Sequence, residues 1–348
     1  MRRTAVAAII GAAALTAAGC SSSSSSSASS SATSAGGSAA AAPVTVRLGF
    51  LENITHASAL VGLKDGYFSK ALGSAGTVKA TAFSTGTQET TALLAGQLDA
   101  AYVGPNPAIN TWQKSNGTGI KIISGAATGG ASVVVTKGIT SPAQLKGKTL
   151  ATPSLGNTQD VALRYWLKQN GVTTTTTGGG DAFVKPTTPN SAAVLEFKSG
   201  QIAGGSEPVP YDVQMVQDGG TVLLTEPGVT TILVVTQSFL AAHPAVVSDL
   251  VKAQIQANAF IKSNPTQAET DANAELAVYT GKPLASSLVA SSFKETTFTN
   301  DPDESSLTTD ASQAVSLGLL KPVNLTGIFD LGPLNQALAA AGEPQISS

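Results

Sequence analysis

From position 44 onward the chain alternates short apolar bursts with longer segments of helical periodicity. Val44-Thr45-Val46-Arg47-Leu48-Gly49-Phe50 repeats at every second residue and predicts a strand. Asn53 or Thr55 can cap the helix expected next, which carries Ala59, Leu60, Val61 and Leu63 and stops near Gly66. A second strand over 78–83 runs into Thr85-Gly86-Thr87-Gln88, where Thr85 and Gln88 have capping-box spacing. The helix they open has its apolar stripe at Ala92, Leu93 and Leu94 and ends at Gly96. A third strand over 98–103 breaks at Gly104-Pro105-Asn106-Pro107, and a helix with Ile109 and Trp112 leads to a fourth strand over 120–124. Strand and helix in alternation, joined by short connections, predict an α/β fold with a doubly wound, mostly parallel sheet.

The pattern restarts after Gly129-Gly130. A strand over 132–136 precedes a short helical turn with proline at its first position, Ser141-Pro142, and then a strand over 149–151. The polar loop 153–160 opens an amphipathic helix over 161–169, and residues 173–180 form a low-complexity surface loop. Lys198-Ser199-Gly200-Gln201-Ile202-Ala203 echoes Leu94-Ala95-Gly96-Gln97-Leu98-Asp99: in each a helix closes at glycine and glutamine leads into a strand. That echo points to two similar lobes in one chain. Residues 231–236 read as a further apolar strand, and 244–263, 266–279 and 305–317 as helices.

The segment before position 44 reads as processing signal rather than fold. Arg2 and Arg3 precede an apolar, small-residue run over 5–18, too short to span a bilayer, which needs about 20 residues. Residues 1–19 are therefore expected to be a signal peptide. The run ends Ala17-Ala18-Gly19-Cys20, which resembles a bacterial lipobox, and Cys20 is the expected lipidation site. Residues 20–43 are nearly all Ser, Ala, Gly and Thr, too poor in apolar surface to fold, and form a flexible tether. The mature protein is thus expected outside the cytoplasm, anchored to the membrane by lipid.

Composition narrows the chemistry. The net charge of −2 becomes −4 once Arg2 and Arg3 leave with the signal, which excludes the basic field that nucleic acid requires. Only Arg47 and Arg164 remain as arginines, so arginine-rich recognition of oxyanions is largely excluded. One cysteine and two histidines, His56 and His243, leave no disulfide and no structural zinc site to expect. Gly147-Lys148-Thr149 looks like the end of a P-loop, but the glycine required five residues earlier is Pro142. Hydrolase, zinc-protease and dinucleotide motifs are missing. No cofactor, no metal and no catalysis are expected.

What stands out instead is a set of polar loops leading into helices. They contain Asn53, Thr55 and His56; Ser84, Thr85 and Thr87; Asn106; and Asn157 and Thr158. In open α/β sheets ligands bind outside the carboxyl ends of strands, where helix N-termini offer free N–H groups and partial positive charge to an oxyanion. Each loop can equally be a plain capped helix start, and His56 can be a solvated surface residue.

In this order and spacing, Arg47-Leu48-Gly49-Phe50, Gly66-Tyr67-Phe68, Phe83-Ser84-Thr85-Gly86, residues 95–104 and Leu145-Lys146-Gly147-Lys148 resemble solute-binding proteins for aliphatic sulfonates, nitrate and taurine. His243-Pro244, Ser263-Asn264-Pro265, Gly318-Leu319-Leu320 and Phe329-Asp330 extend the resemblance to the C-terminal half. It implies a periplasmic-binding-protein-like fold of two α/β lobes, one of residues 44–131 plus 232–348 and one of 132–231. Two crossover strands, near 129–133 and 231–235, would join them. A small, anionic ligand of the sulfonate, taurine or nitrate kind is expected between the lobes, with an ABC permease and its ATPase as partners. Gly130 at the restart joins the expected ligand contacts, as does Glu207 in Ser206-Glu207-Pro208, where a ligand amine or a helix cap are both open. The alternatives are a binding protein for a thiamine pyrimidine precursor, a related biosynthetic enzyme, and a secreted sensing lipoprotein. The enzyme branch uses a cysteine cluster, and Cys20 is the single cysteine here.

Overall fold

β10 (Val229–Thr236), a central strand of the larger sheet, has all eight residues buried. Alternate side chains of this β-branched run feed opposite faces: Ile232 and Val234 join one apolar cluster, Leu233 and Val235 the other. The computed structural model describes residues 42–347. The expected signal peptide, Cys20 and nearly all of the tether lie outside the described residues.

In chain order the strands are β1 (Val44–Leu51), β2 (Gly76–Phe83), β3 (Ala100–Val103), β4 (Ile120–Gly129), β5 (Ala131–Val135), β6 (Thr149–Thr152), β7 (Phe183–Pro186), β8 (Gly204–Pro208), β9 (Thr221–Thr225), β10 and β11 (Thr296–Phe298). They form a six-stranded sheet, β11-β4-β10-β3-β1-β2, and a five-stranded sheet, β7-β6-β8-β5-β9. β1 pairs parallel with β2 and β3, and β6 pairs parallel with β7 and β8. β10 runs antiparallel to β3 and β4, and β5 antiparallel to β8 and β9. The mostly parallel, two-lobed α/β architecture expected from the sequence is thus present, and among the reversed strands are the two next to the passages between sheets.

The first passage is at Gly130, between β4 and β5. The second lies at Glu226-Pro227-Gly228, and the run 231–235 stays wholly inside the larger sheet. The strand begins ahead of position 231 because Pro227-Gly228 makes the turn. There Gly129 N–H donates to Gly228 O at 2.9 Å, drawing the two passages side by side. Gly129 and Gly130 both have positive φ, 67° and 69°, a region that favours glycine.

The helices are α1 (Ala57–Lys64), α2 (Tyr67–Leu72), α3 (Gly86–Leu94), α4 (Pro105–Lys114), α5 (Thr158–Gln169), α6 (Asn190–Lys198), α7 (Tyr211–Gln217), α8 (Gln237–Ala242), α9 (Pro244–Ser263), α10 (Pro265–Thr280), α11 (Ser286–Glu295), α12 (Glu304–Ser316) and α13 (Gly332–Ala340). α9 packs on the larger sheet with Val247, Leu250, Val251 and Ala257 fully buried, an apolar stripe at helical spacing. In the smaller sheet Val133 and Val135 feed one cluster and Val134 the other.

Both arginines of this part of the chain are structural. Arg164 is 2% exposed; its Nε donates to both carboxylate oxygens of Asp160 at 2.9 Å, one helical turn away. Its remaining donors reach Thr175 O at 2.8 Å and Val184 O at 3.2 Å, fastening the start of the 173–180 loop. Arg47 donates from Nε to Asp99 at 2.9 Å.

A cavity ringed by helix N-termini

Four helices begin at one place. α3 and α4 follow strands of the larger sheet, α5 and α6 strands of the smaller one, and the first residues of all four line a single cleft. The cleft encloses a cavity of about 40 Å³. That is room for a few water-sized groups.

The caps explain why the helices start there. Thr85 Oγ1 accepts from Gln88 N–H at 3.3 Å, and Asn157 Oδ1 accepts from Asp160 N–H at 2.8 Å. These bonds use the third N–H of each helix and leave the earlier ones free. On α3, α5 and α6 the N–H groups of Gly86, Thr87, Thr158, Gln159, Asn190 and Ser191 have no acceptor among the described residues. α4 contributes fewer donors, since Pro105 and Pro107 have none. Every one of these termini carries the positive end of a helix dipole, and no lysine or arginine lines the cavity.

Side chains add donors. Asn53 caps the turn Ile54–His56 with Oδ1, accepting from Thr55 N–H at 3.0 Å and Thr55 Oγ1–H at 2.7 Å, which leaves its Nδ2 unengaged. Thr55 Oγ1 in turn accepts from Thr231 Oγ1 at 3.1 Å. His56, one of the cleft residues, is 1% exposed, contrary to the reading of it as a solvated residue. Its Nδ1 accepts from Leu51 N–H at 3.2 Å, and burial pushes its pKa down to about 3. The ring is therefore neutral at physiological pH, with its proton on Nε2. Thr158 Oγ1 is buried and has no partner.

Of the residues expected from sequence, Asn53, Thr55, His56, Ser84, Thr85, Asn157 and Thr158 come together on this cavity. Four do not line it. Thr87 is exposed at the lip, its Oγ1 3.5 Å from Ser154 Oγ on the facing loop. Asn106 turns toward α12, its Nδ2 donating to Asp310 O at 3.4 Å. Gly130 lies behind Thr55, where an added Cβ would come within 3.1 Å of the threonine methyl. Glu207 is fully buried with neither carboxylate oxygen hydrogen-bonded, and burial, then the nearby Asp212 and Glu226, hold its pKa well above the usual carboxylate range. Sequence reasoning missed Glu52, Gln159, Asn190, Tyr211 and Thr230, which also line the cleft. Pro189-Asn190 was the available signal, a proline followed by a capping-type residue at a helix start.

Comparison with known proteins agrees with this fold. The structure of the periplasmic nitrate-binding protein NrtA from Synechocystis PCC 6803 superposes with a TM-score of 0.75 at 16% identity, covering 88% of this chain and 91% of that one. The alkanesulfonate-binding protein SsuA from Xanthomonas axonopodis pv. citri, solved bound to MOPS, gives 0.69 at 17% identity over 84% and 99%. The periplasmic aliphatic sulphonate-binding protein SsuA from Escherichia coli gives 0.62 at 18% identity over 79% and 87%. No curated protein matches the sequence. Residues 39–277 match the NMT1-like family, more than half of the chain, and the protein belongs to that family.

Proposed function

We propose that this protein is the extracytoplasmic solute-binding component of an ABC importer, that it captures a small oxyanion between its two lobes, and that it performs no catalysis. The observation that carries the reading is the convergence of four helix N-termini, two from each sheet, on one cavity without a lysine or arginine. Neutral donors fixed by the backbone can hold an anion without a buried positive charge that would need its own partner in the empty protein. Asn53 Nδ2, the hydroxyls of Ser84, Thr85 and Thr158, and His56 Nε2–H supply further donors. Structural relatives that bind nitrate and sulfonates support an oxyanion of that kind. Sulfonate is the favoured class, and delivery to a permease and its ATPase is the consequence.

Calorimetric titration with nitrate, propane-1-sulfonate and taurine tests the reading. Saturable binding of at least one, with no chemical change in the recovered ligand, is expected. No binding of any of the three, or turnover of one, would reject it.

Anchoring by lipid at Cys20 is part of the same proposal. Among the described residues no helix is long and apolar enough to cross a membrane. Cys20→Ser should move the protein from the membrane fraction into the medium, as followed by fractionation and immunoblot; retention of the variant with an uncleaved leader would rule the anchor out.

A further inference from the structure

At the first passage between the sheets, two carboxyl groups stand on either side of Gly130. Gly130 N–H donates to the carbonyl of Glu295 at 2.8 Å, and Gly130 O accepts from Val209 N–H at 2.8 Å. Glu295 closes α11, which leads into β11 of the larger sheet; Val209 follows β8 of the smaller sheet and precedes Asp212 in the first turn of α7. α7 and α11 pack on each other across the passage. Their contact brings the carboxyl of Asp212 within hydrogen-bonding reach of the carboxyl of Glu295.

Asp212 is 1% exposed. Its Oδ1 accepts from Val213 N–H at 2.7 Å, and Ser132 of β5 adds a side-chain hydrogen bond, but Oδ2 is buried with no donor. Two ionised carboxylates have only acceptors to offer each other, so the pair can bond only while one member holds a proton. Burial, then Glu295, hold the Asp212 carboxyl well above the usual carboxylate range. Partial burial raises Glu295, whose residue reaches solvent, and the bond from Asp212 draws it back down. Asp212 is therefore the member that keeps the proton. The other charged groups around the pair do not neutralise it. Glu207 of β8 is fully buried and unpartnered, and Glu226, at the second passage, adds negative field at Asp212. Tyr211 is a neutral phenol bonded to Glu52 O, and His56, in the turn packed on α11, is neutral. Lys198 of α6 pairs with Asp218 at the far end of α7 at 3.0 Å, and the exposed Lys294 shares an outer groove with Glu269 of α10. No ion pair among the described residues includes Asp212, Glu295, Glu207 or Glu226. Among the described residues no three acidic, histidine or cysteine side chains converge as a metal site needs.

We infer that Asp212 and Glu295 form a proton-dependent latch between the two lobes: neutral Asp212 donates to Glu295 and holds the sheets in the arrangement described here, and loss of that proton sets two like charges against each other across the passage and parts the lobes. One acid belongs to each lobe, so their attraction or repulsion acts on the lobes' relative position rather than within either core. With the lobes parted, water reaches Asp212 and its carboxyl returns toward the ordinary range. Closure then takes up a proton. The bias toward the closed arrangement is complete below the ordinary carboxylate range and is lost as pH rises through the raised value of Asp212. The lobes thus close more readily in an acidic medium, whatever the cleft holds.

Small-angle scattering of the ligand-free, full-length protein at constant salt tests the latch, and no ligand is used, so the result stands apart from the anion reading of the cleft. The radius of gyration should rise between about pH 5 and about pH 9, reversibly and with an unchanged far-UV circular dichroism spectrum. Asp212→Asn and Glu295→Gln each put a permanent neutral donor in the pair and should keep the smaller radius at both pH values. Glu295→Lys turns the repulsion into an ion pair with ionised Asp212 and should also stay compact at the alkaline end. Glu295 lies at the surface, so its two variants decide the matter even where Asp212→Asn fails to fold. A wild-type radius that is the same at both pH values, or an expansion that persists in Glu295→Gln and Glu295→Lys, overturns the latch.

Discussion

The hydroxyl of Tyr211 donates to the carbonyl of Glu52 at 3.0 Å, joining α7 on the smaller sheet to the turn after β1 on the larger one. Beside it Ile54 N–H donates to Val209 O at 3.1 Å. Burial raises the pKa of the Tyr211 phenol, which stays protonated and able to donate. These bonds pull the walls of the cleft together at its inner end. Tyr211→Phe should lower affinity for the identified anion by about two- to tenfold, the worth of one neutral hydrogen bond. Small-angle scattering of the ligand-free variant should show a larger radius than the wild type; an unchanged radius and affinity would mean the bond does not govern closure.

Donors that line the cavity should matter more than polar residues near it. Thr158→Val and Thr85→Val each remove a hydroxyl from the cleft and should cost about 1.5–3 kcal/mol of binding to a charged ligand, or roughly ten- to a hundredfold in affinity. Asn106→Leu, whose side chain faces α12, should change affinity by less than about threefold. Calorimetry on the three variants checks the ranking, and a larger loss for Asn106→Leu than for Thr158→Val would displace the site.

Arg164 and Asp160 form a buried ion pair, 2% and 0% exposed at the side chains. Removing one partner leaves a buried charge uncompensated, so Arg164→Met should destabilise the fold by about 3–5 kcal/mol. Arg47→Met, at a pair whose arginine side chain is 43% exposed, should cost under about 1 kcal/mol. Urea unfolding of both variants measures the difference; similar losses would contradict the roles assigned to the two pairs.

Burial sets opposing pH dependences. Glu226, pushed up to about 8, keeps its proton in the native state while the unfolded chain loses its own near 4.5. Its stabilising contribution is full below about pH 4.5 and is lost as pH rises through about 8. His56, pushed down to about 3, works the other way: its contribution is full above about pH 6.5 and is lost as pH falls toward 3. Glu226→Gln should remove much of the alkaline loss. The stability gap between about pH 5 and about pH 8, from urea unfolding, should narrow by at least about 1 kcal/mol relative to wild type, given roughly 1.4 kcal/mol per pKa unit. A gap of unchanged size would mean that Glu226 ionises normally.

Much of the site was readable because capping is local chemistry. Thr85, Asn157 and Asn53 sit where a strand ends and a helical turn begins, and their side chains close on N–H groups two or three residues ahead. The direction of a residue within the first turn was not readable. Gly104 and Pro107 face the cleft, while Asn106 between them points to α12. The burial of Glu207 is not legible for a similar reason: β8 is buried on both faces, which places the carboxyl in the interior. Glu226 and Asp310 lie 84 residues apart in the numbering, and only folding makes them neighbours.

Gly129 and Gly228 hold the two passages between the sheets against each other through a single backbone hydrogen bond. Two adjacent flexure points fix a line, as two pins fix the swing of a door. β10, which the second passage enters, lies fully buried at the centre of the larger sheet. Rotation of one sheet against the other about that line would change the gap between the N-termini of α5 and α6 and those of α3 and α4. A side chain placed at Gly129 or Gly130, both left-handed, would strain the backbone at that pivot, and at Gly130 it would also press on Thr55 of the cleft.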